Sequence, residues 1–165
     1  RERRLLADLR ASADIVVDTS RLSARQLAQR ISNHFGTDAT DNLSVALMSF
    51  GFKNGLPVDA DIVFDVRFLP NPYWVPELRP KTGLSPDVAS YVLSQEAAQE
   101  FQGCMLGIID VAAPGYLTEG KRQVTVAIGC TGGKHRSTSM TEELASRLRA
   151  RGYGVSVLHR DLGKE

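Results

Sequence analysis

The sequence has 165 residues, of which 42% are hydrophobic and 24% are charged, and its formal net charge is +1 at pH 7. The length suits one domain with part of another, and this composition allows a hydrophobic core. The small net charge excludes a general attraction to nucleic acid, so any RNA or anion site must come from local clustering of cations. Two isolated cysteines and three histidines make a zinc framework improbable.

The first part of the chain predicts helix, strand and helix. Residues 1–10 have a helical pattern, residues 15–18 ("IVVD") predict a short buried strand, and Ser23 with Gln26 forms a capping box that opens a second helix. The chain opens in mid-pattern on Arg1, which indicates a piece cut from a longer protein. It shows no signal peptide and no apolar run of the ~20 residues that span a membrane, so we expect a cytoplasmic protein.

The middle of the chain predicts two strands and a long irregular segment. Alternating apolar residues at 43–47 and the run at 61–68 ("DIVFDVRF") have strand patterns. The segment 69–83, "LPNPYWVPELRPKTG", contains four prolines and is therefore incompatible with a helix or a central strand. Long irregular segments of this kind often carry function.

The second half alternates helix and strand. Helices are expected from Ser85 to about Ala113, where Pro114 should end them. The further predicted elements are a strand at 123–129, a helix at 137–151 closed by Gly152, and a last strand at 154–161. This order predicts an α/β fold with a mostly parallel sheet and flanking helices.

The stretch "VTVAIGCTGGKHRS", residues 124–137, allows three functional interpretations. A nucleotide P-loop requires G-x-x-x-x-G-K-[ST], but only three residues separate Gly129 from Gly133, and His135 occupies the hydroxyl position. A cysteine-dependent phosphatase loop, C-x5-R-[ST], is matched by Cys130, Arg136 and Ser137. That alternative lacks the usual histidine before the cysteine, and only Asp65 and Asp87 are candidates for its general acid.

The third interpretation is a binding loop for a phosphorylated ligand. Gly132 and Gly133 let the backbone approach a ligand, the following helix N-terminus offers N–H groups, and Lys134 with Arg136 balances negative charge. Cys130 is then a small buried residue. A tight turn with solvated cations is the plain alternative, but we favour an anion site.

The proline-rich segment could contribute to the same site. Arg67, Arg79 and Lys81 flank it and would either complete an anion pocket or remain solvated. Trp74 could stack on a sugar or a base, although we expect it mainly to pack the segment down, and Tyr73 is equally ambiguous.

Several long stretches resemble the C-terminal half of the RapZ/YvcJ family of bacterial nucleotide-binding proteins. They are "SFGFKNGLPVDADIVFDVRFLPNPYW", "LRPKTGL", "VAIGCTGGKHRS" and "LHRDLGKE". The resemblance implies that residues 1–33 are the tail of an N-terminal P-loop NTPase domain with a connecting helix. Residues 34–165 would form the C-terminal ligand- and RNA-binding domain, with a fold similar to a phosphofructokinase subdomain.

The resemblance also implies a function. ATP or GTP would be bound and hydrolysed by the N-terminal domain, so we expect no cofactor and no enzyme activity in this chain. The C-terminal domain would sense glucosamine-6-phosphate through Thr131, Gly132, His135 and Arg136, with Tyr73 closing the pocket. The expected partners are a phosphorylated sugar or other small anion, RNA or a ribonuclease, and further copies of the protein, but no membrane.

Two departures from the family pattern modify these expectations. Tyr73 stands where the enteric branch carries a histidine, and tyrosine donates a hydrogen bond but carries no charge at neutral pH. The chain closes on "LGKE" rather than on the Lys/Arg-rich tail that the enteric branch uses for RNA. Because RNA affinity rises with the number of phosphates neutralised, we expect weak RNA binding by this domain alone.

Overall fold

The computed structural model describes residues 43–164 and a few earlier positions (13, 16–20, 22, 23 and 27). The chain divides into two compact units, residues 1–39 and residues 40–165. In the first unit, Leu27 is helical and its N–H donates to the Ser23 carbonyl. The predicted helix at 1–10 and the rest of the capped helix lie outside the described residues. The buried strand predicted at 15–18 is wrong for its described part, because Val16–Asp18 are irregular and Val16 is 51% exposed.

The second unit is an α/β fold, as predicted. Its four strands form one all-parallel sheet in the order β2-β3-β1-β4. The strands are β1 (Ser44–Gly51), β2 (Ile62–Asp65), β3 (Gln123–Cys130) and β4 (Gly154–His159). The helices are α1 (Pro86–Leu93), α2 (Glu96–Thr118) and α3 (Arg136–Ala150), and short 3-10 turns lie at Phe52–Asn54 and Pro72–Trp74.

The hydrophobic core lies between the helices and one face of the sheet. Val45 and Leu47 of β1 alternate with more exposed residues, and they pack in one cluster with Val126 of β3 and with Met140 and Leu144 of α3. The four-residue spacing of Met140, Leu144 and Leu148 predicted this buried face of α3, and each of these side chains is 0% exposed. Burial at about 25 cal/mol per Å² of apolar surface makes this cluster the main source of stability.

Two predicted boundaries were wrong for reasons of tertiary packing. The strand expected at 61–68 ends at Asp65 as β2, where the chain turns away from the sheet edge. Pro114 does not end its helix: α2 continues to Thr118 because Ala113 is buried and Leu117 packs against the core. Pro114 itself is exposed, and its carbonyl accepts a hydrogen bond from Thr118 Oγ1 at 2.9 Å. A lost backbone hydrogen bond on the solvent side is thus outweighed by burial on the other side.

Candidate functional site

The site is built around residues 131–135, which connect β3 to α3. This connection, called here the β3–α3 loop, lies at the carboxyl edge of the parallel sheet, where α/β proteins bind their ligands. Gly133 has φ +85°, a conformation that favours glycine. The first turn of α3 follows directly, so backbone N–H groups without helical partners lie next to the loop.

Close backbone packing holds the loop from two sides. A Cβ atom on Gly51 would lie 2.5 Å from the carbonyl carbon of Gly132, and one on Gly83 would lie 2.3 Å from the His135 oxygen. These glycines let β1 and the end of the proline-rich segment reach the loop backbone. A hydrogen bond stabilises this contact: the Gly83 N–H donates to the Lys134 carbonyl at 2.8 Å. The loop is therefore a preorganised structure.

The buried carboxylate of Asp161 stabilises the backbone that packs against the loop. Asp161 is 1% exposed and accepts hydrogen bonds from the Gly51 N–H at 2.8 Å and from Arg160 Nη2 at 2.6 Å. The same Arg160 nitrogen donates to the Gly55 carbonyl at 2.7 Å. This network fixes the turn Phe52–Asn54 beside the loop. Burial alone would raise the pKa of Asp161, but the hydrogen bonds from Arg160 and Gly51 outweigh it and lower the pKa from 3.8 to about 2.

The Asp161 network predicts a defined loss of stability in acid. Because the pKa is lower in the folded state, the contribution of Asp161 is complete above the unfolded value of 3.8 and disappears as the pH falls through about 2. Asp161→Asn should reduce the free energy of unfolding by about 2 kcal/mol at pH 7, and the difference from the native protein should shrink towards pH 2. Urea unfolding at several pH values measures it. Asp59→Asn, at an exposed carboxylate, is the control, and a difference independent of pH would contradict the assignment.

A cavity of about 610 Å³ opens above the loop. Of the residues predicted to bind a ligand, eight line it, whereas Arg67, Gly133 and Ser137 do not. The eight are Tyr73, Arg79, Cys130, Thr131, Gly132, Lys134, His135 and Arg136, and the other lining residues are Lys53, Asn71, Trp74 and Pro80. None of the described residues that line the cavity is acidic. The cavity therefore favours an anion.

Arg136 is the central cation of this cavity. Its side chain is buried, and Nη1 donates to the carbonyls of Arg67 at 2.7 Å and Leu69 at 3.0 Å, while Nη2 donates to Thr131 Oγ1 at 3.2 Å. Its Nε is also buried and has no hydrogen-bond partner among the described residues. Burial lowers the pKa of this guanidinium more than the neighbouring charges of Cys130 and Asp65 raise it. An anion in the cavity would balance this buried charge.

Cys130 lies beneath the loop rather than at its surface. Its Sγ accepts a hydrogen bond from the Gly133 N–H at 3.2 Å and lies 3.1 Å from Ser137 Oγ, and the residue is only 3% exposed. Gly133 and Ser137 therefore contact Cys130 and do not line the cavity. The two candidate general acids of a phosphatase are engaged elsewhere, since Asp65 pairs with Arg67 and Asp87 pairs with Lys81. Neither of these two candidate general acids, Asp65 and Asp87, lines the cavity.

The other arginine and histidine side chains at this edge of the sheet make contacts within the fold. The Arg67 guanidinium pairs with Asp65 at 2.7 Å and stacks over the Phe52 ring at 4.0 Å. Arg79 lines the cavity, donates to the Tyr73 carbonyl at 2.8 Å and lies over the Tyr73 ring at 4.8 Å. His135 is 6% exposed and hydrogen-bonds to the Arg79 carbonyl at 3.3 Å through Nε2. His159 joins Ser49 Oγ (2.7 Å) to Glu142 (2.9 Å).

Sequence reasoning missed three lining residues, Lys53, Asn71 and Pro80, and misjudged Trp74. Lys53 was not a candidate, because the turn pattern of residues 51–57 says nothing about its distance from the loop. Its N–H donates to the Thr131 carbonyl at 3.2 Å, and its Nζ lies 3.8 Å from where a Cβ of Gly132 would stand. Trp74 was expected to pack the proline-rich segment down, but it is 73% exposed at the cavity rim.

The described residues contain no helix with the length and hydropathy of a membrane span, and no group of three or more His, Cys, Asp or Glu side chains that could hold a metal ion.

Fold and cavity together define an α/β protein with a cation-lined pocket at the carboxyl edge of a parallel sheet. The chain belongs to the RapZ family: the RapZ C-terminal domain matches residues 43–163, and the RapZ-like N-terminal domain matches residues 1–39. It is 65% identical to a nucleotide-binding protein of Cutibacterium acnes over 99% of this chain and 56% of the relative. It is also 57% identical to one of Nocardioides sp. (100% and 55%) and 56% identical to one of Streptomyces coelicolor (99% and 55%).

These comparisons correct one expectation. We predicted a C-terminal regulatory domain without enzyme activity of its own, and that prediction was wrong, because the matched N-terminal domain at residues 1–39 means that the chain is not a lone C-terminal domain. The chain spans about half the length of the curated relatives it matches.

Proposed function

We propose that residues 40–165 bind a phosphorylated sugar, most specifically an amino-sugar phosphate such as glucosamine-6-phosphate. The observation that carries the proposal is the buried guanidinium of Arg136, which lines a cavity that has no acidic side chain among its described lining residues. A dianionic phosphate group in this cavity balances the buried charge.

The proposed roles follow from the positions of the side chains. Arg136 and the N–H groups at the start of α3 hold the phosphate, with Lys134 adding charge from the loop. Thr131 and His135 supply polar atoms for the sugar. Tyr73 lies 45% exposed at the rim and closes the pocket over it. The phosphate thus fixes the position and the hydroxyl and imidazole groups select the sugar.

The wider activity of the protein belongs to the same proposal. The curated relatives are called nucleotide-binding proteins, and we propose that the complete protein binds ATP or GTP through its N-terminal domain. We propose RNA or a ribonuclease as a further partner, self-association, and a cytoplasmic location from the family resemblance. A bound sugar phosphate would regulate such a partner through a coupling of about 1–3 kcal/mol.

The test is a calorimetric titration with glucosamine-6-phosphate in buffer free of phosphate and sulfate. We expect saturable binding, weaker binding of inorganic phosphate and none of glucosamine. Lys134→Gln should weaken the affinity without loss of stability, because Lys134 holds the fold through its backbone carbonyl. Lys81→Gln, which removes a cation paired with Asp87 outside the cavity, is the matched control. Equal affinity for sugar phosphate and plain phosphate would reject sugar recognition, and no binding of either would reject the site.

A further inference from the structure

The cavity has more positive charge than one phosphate group requires. Four cationic side chains line it: Lys53, Arg79, Lys134 and Arg136. A phosphate monoester carries about 1.5 to 2 negative charges at pH 7, so it balances roughly half of them. The volume of about 610 Å³ also lies within the range of pockets for drug-sized ligands, about 300–1,000 Å³, which exceed a hexose phosphate in size.

Lys53 and Arg136 come to the cavity from different elements of the fold. Arg136 is fixed against the proline-rich segment by the carbonyls of Arg67 and Leu69. Lys53 arrives from the turn after β1 and places its Nζ near Gly132, with its backbone tied to Thr131. The Asp161–Arg160 network holds that turn in place. Two cations that reach one loop from different elements suit two linked phosphoryl groups better than one.

An aromatic platform adjoins these cations. Trp74 lies 5.3 Å from Tyr73 in an edge-to-face contact, and the Arg79 guanidinium covers the Tyr73 ring. The turn Pro72–Trp74 is capped by Asn71, whose side chain accepts from the Tyr73 N–H at 3.2 Å. With 73% of its surface exposed, Trp74 contributes little to the core, yet its turn is fixed at the mouth of the cavity. Such a ring can stack on a planar base.

We propose that this cavity takes a nucleoside diphosphate, with its phosphoryl groups between Arg136 and Lys53 and its base stacked on Trp74. The proposal rests on the proposed function in one respect, that the β3–α3 loop binds a phosphoryl group. It adds a second subsite formed by Lys53 and Trp74. Stacking and charge alone do not distinguish the bases, so uridine and adenosine diphosphates both bind.

Trp74 is the only tryptophan in the chain, so its fluorescence reports on this subsite directly. Uridine diphosphate and adenosine diphosphate should quench it saturably, whereas pyrophosphate and glucosamine-6-phosphate should bind with little quenching. In calorimetry, Trp74→Ala should weaken both diphosphates about tenfold and leave pyrophosphate unchanged. Phe68→Ala is the control, since Phe68 is 55% exposed but does not line the cavity.

A lysine variant separates the two phosphoryl positions. Lys53→Gln should weaken the nucleoside diphosphates and pyrophosphate but leave glucosamine-6-phosphate unchanged. The second subsite is rejected if the nucleoside diphosphates bind no more tightly than pyrophosphate, or if Trp74→Ala has no effect on them. Retained binding of glucosamine-6-phosphate would then leave the proposed function intact, whereas loss of every phosphorylated ligand would reject both. Quenching by a single-stranded hexauridylate but not by the diphosphates would overturn the proposal in favour of RNA.

Discussion

Replacing Gly83 with alanine is expected to destabilise the folded protein by about 3 kcal/mol or more. The added methyl group would lie 2.3 Å from the His135 carbonyl oxygen, 2.7 Å from the Ser139 nitrogen and 2.7 Å from the Thr138 Cβ. Two of these neighbours are backbone atoms, which cannot rotate away. The end of the proline-rich segment must therefore leave the start of α3, breaking the Gly83–Lys134 hydrogen bond and the 3.0 Å bond from Ser139 Oγ to the Gly83 carbonyl. Urea unfolding measures the loss.

The same substitution at Gly107 is the matched control. Gly107 is exposed within α2, and a Cβ atom there would meet nothing within 4 Å. Alanine should stabilise the protein at this position by about 0.5–1 kcal/mol, because glycine is the poorer helix former. Equal effects at the two positions would show that the close approach at Gly83 has no energetic importance. A Gly83→Ala protein as stable as the native one would contradict the predicted destabilisation.

Replacing Arg136 with alanine should abolish phosphate binding and also reduce the free energy of unfolding by about 3 kcal/mol. The stability loss is expected because Arg136 is buried and donates to the carbonyls of Arg67 and Leu69, which would lose this donor. Urea unfolding and calorimetry with glucosamine-6-phosphate measure the two effects separately. Both effects are expected from one residue, because the same guanidinium orders the proline-rich segment and completes the cavity.

Two variants control this experiment. Arg136→Lys keeps the positive charge but not the planar donors, so it should retain weak phosphate binding and little of the stability. Arg149→Ala removes an exposed arginine near the end of α3, whose side chain donates to the Val155 carbonyl at 3.4 Å, and should change stability by less than about 0.5 kcal/mol. An Arg136→Ala protein with native stability and native affinity would show that neither role exists.

Sequence patterns predicted the architecture of the second unit well because burial imposes a local period. The buried face of α3 and the alternation in β1 are visible within a few neighbouring residues. The turn at Gly152, with φ +84°, was also evident from residue type. The continuation of α2 through Pro114 was not, because it depends on packing against distant residues that a proline rule does not consider.

The cavity was predicted where it coincides with the β3–α3 loop and with Tyr73 and Arg79 of the proline-rich segment. Glycines followed by cations mark the β3–α3 loop, but Lys53 reaches it from the turn after β1, so only the folded structure brings it there. Arg67 and Arg136 illustrate the same limit. Both are arginines near the site, yet one pairs with Asp65 on the surface and the other is buried against backbone carbonyls. Sequence identifies the chemical groups, and packing decides which of them face a ligand.

The strand order has a consequence for synthesis. β1 is the first strand of its unit to leave the ribosome, but Ser44 pairs with Gln123 on one side and with Gly154 on the other. The nascent chain must therefore keep both edges of β1 unpaired until β3 emerges, and one edge until β4 does. A product that stops before Gly154 would expose an apolar strand edge and would be prone to aggregate. Completion of the sheet thus requires the last strand of this unit to be synthesised.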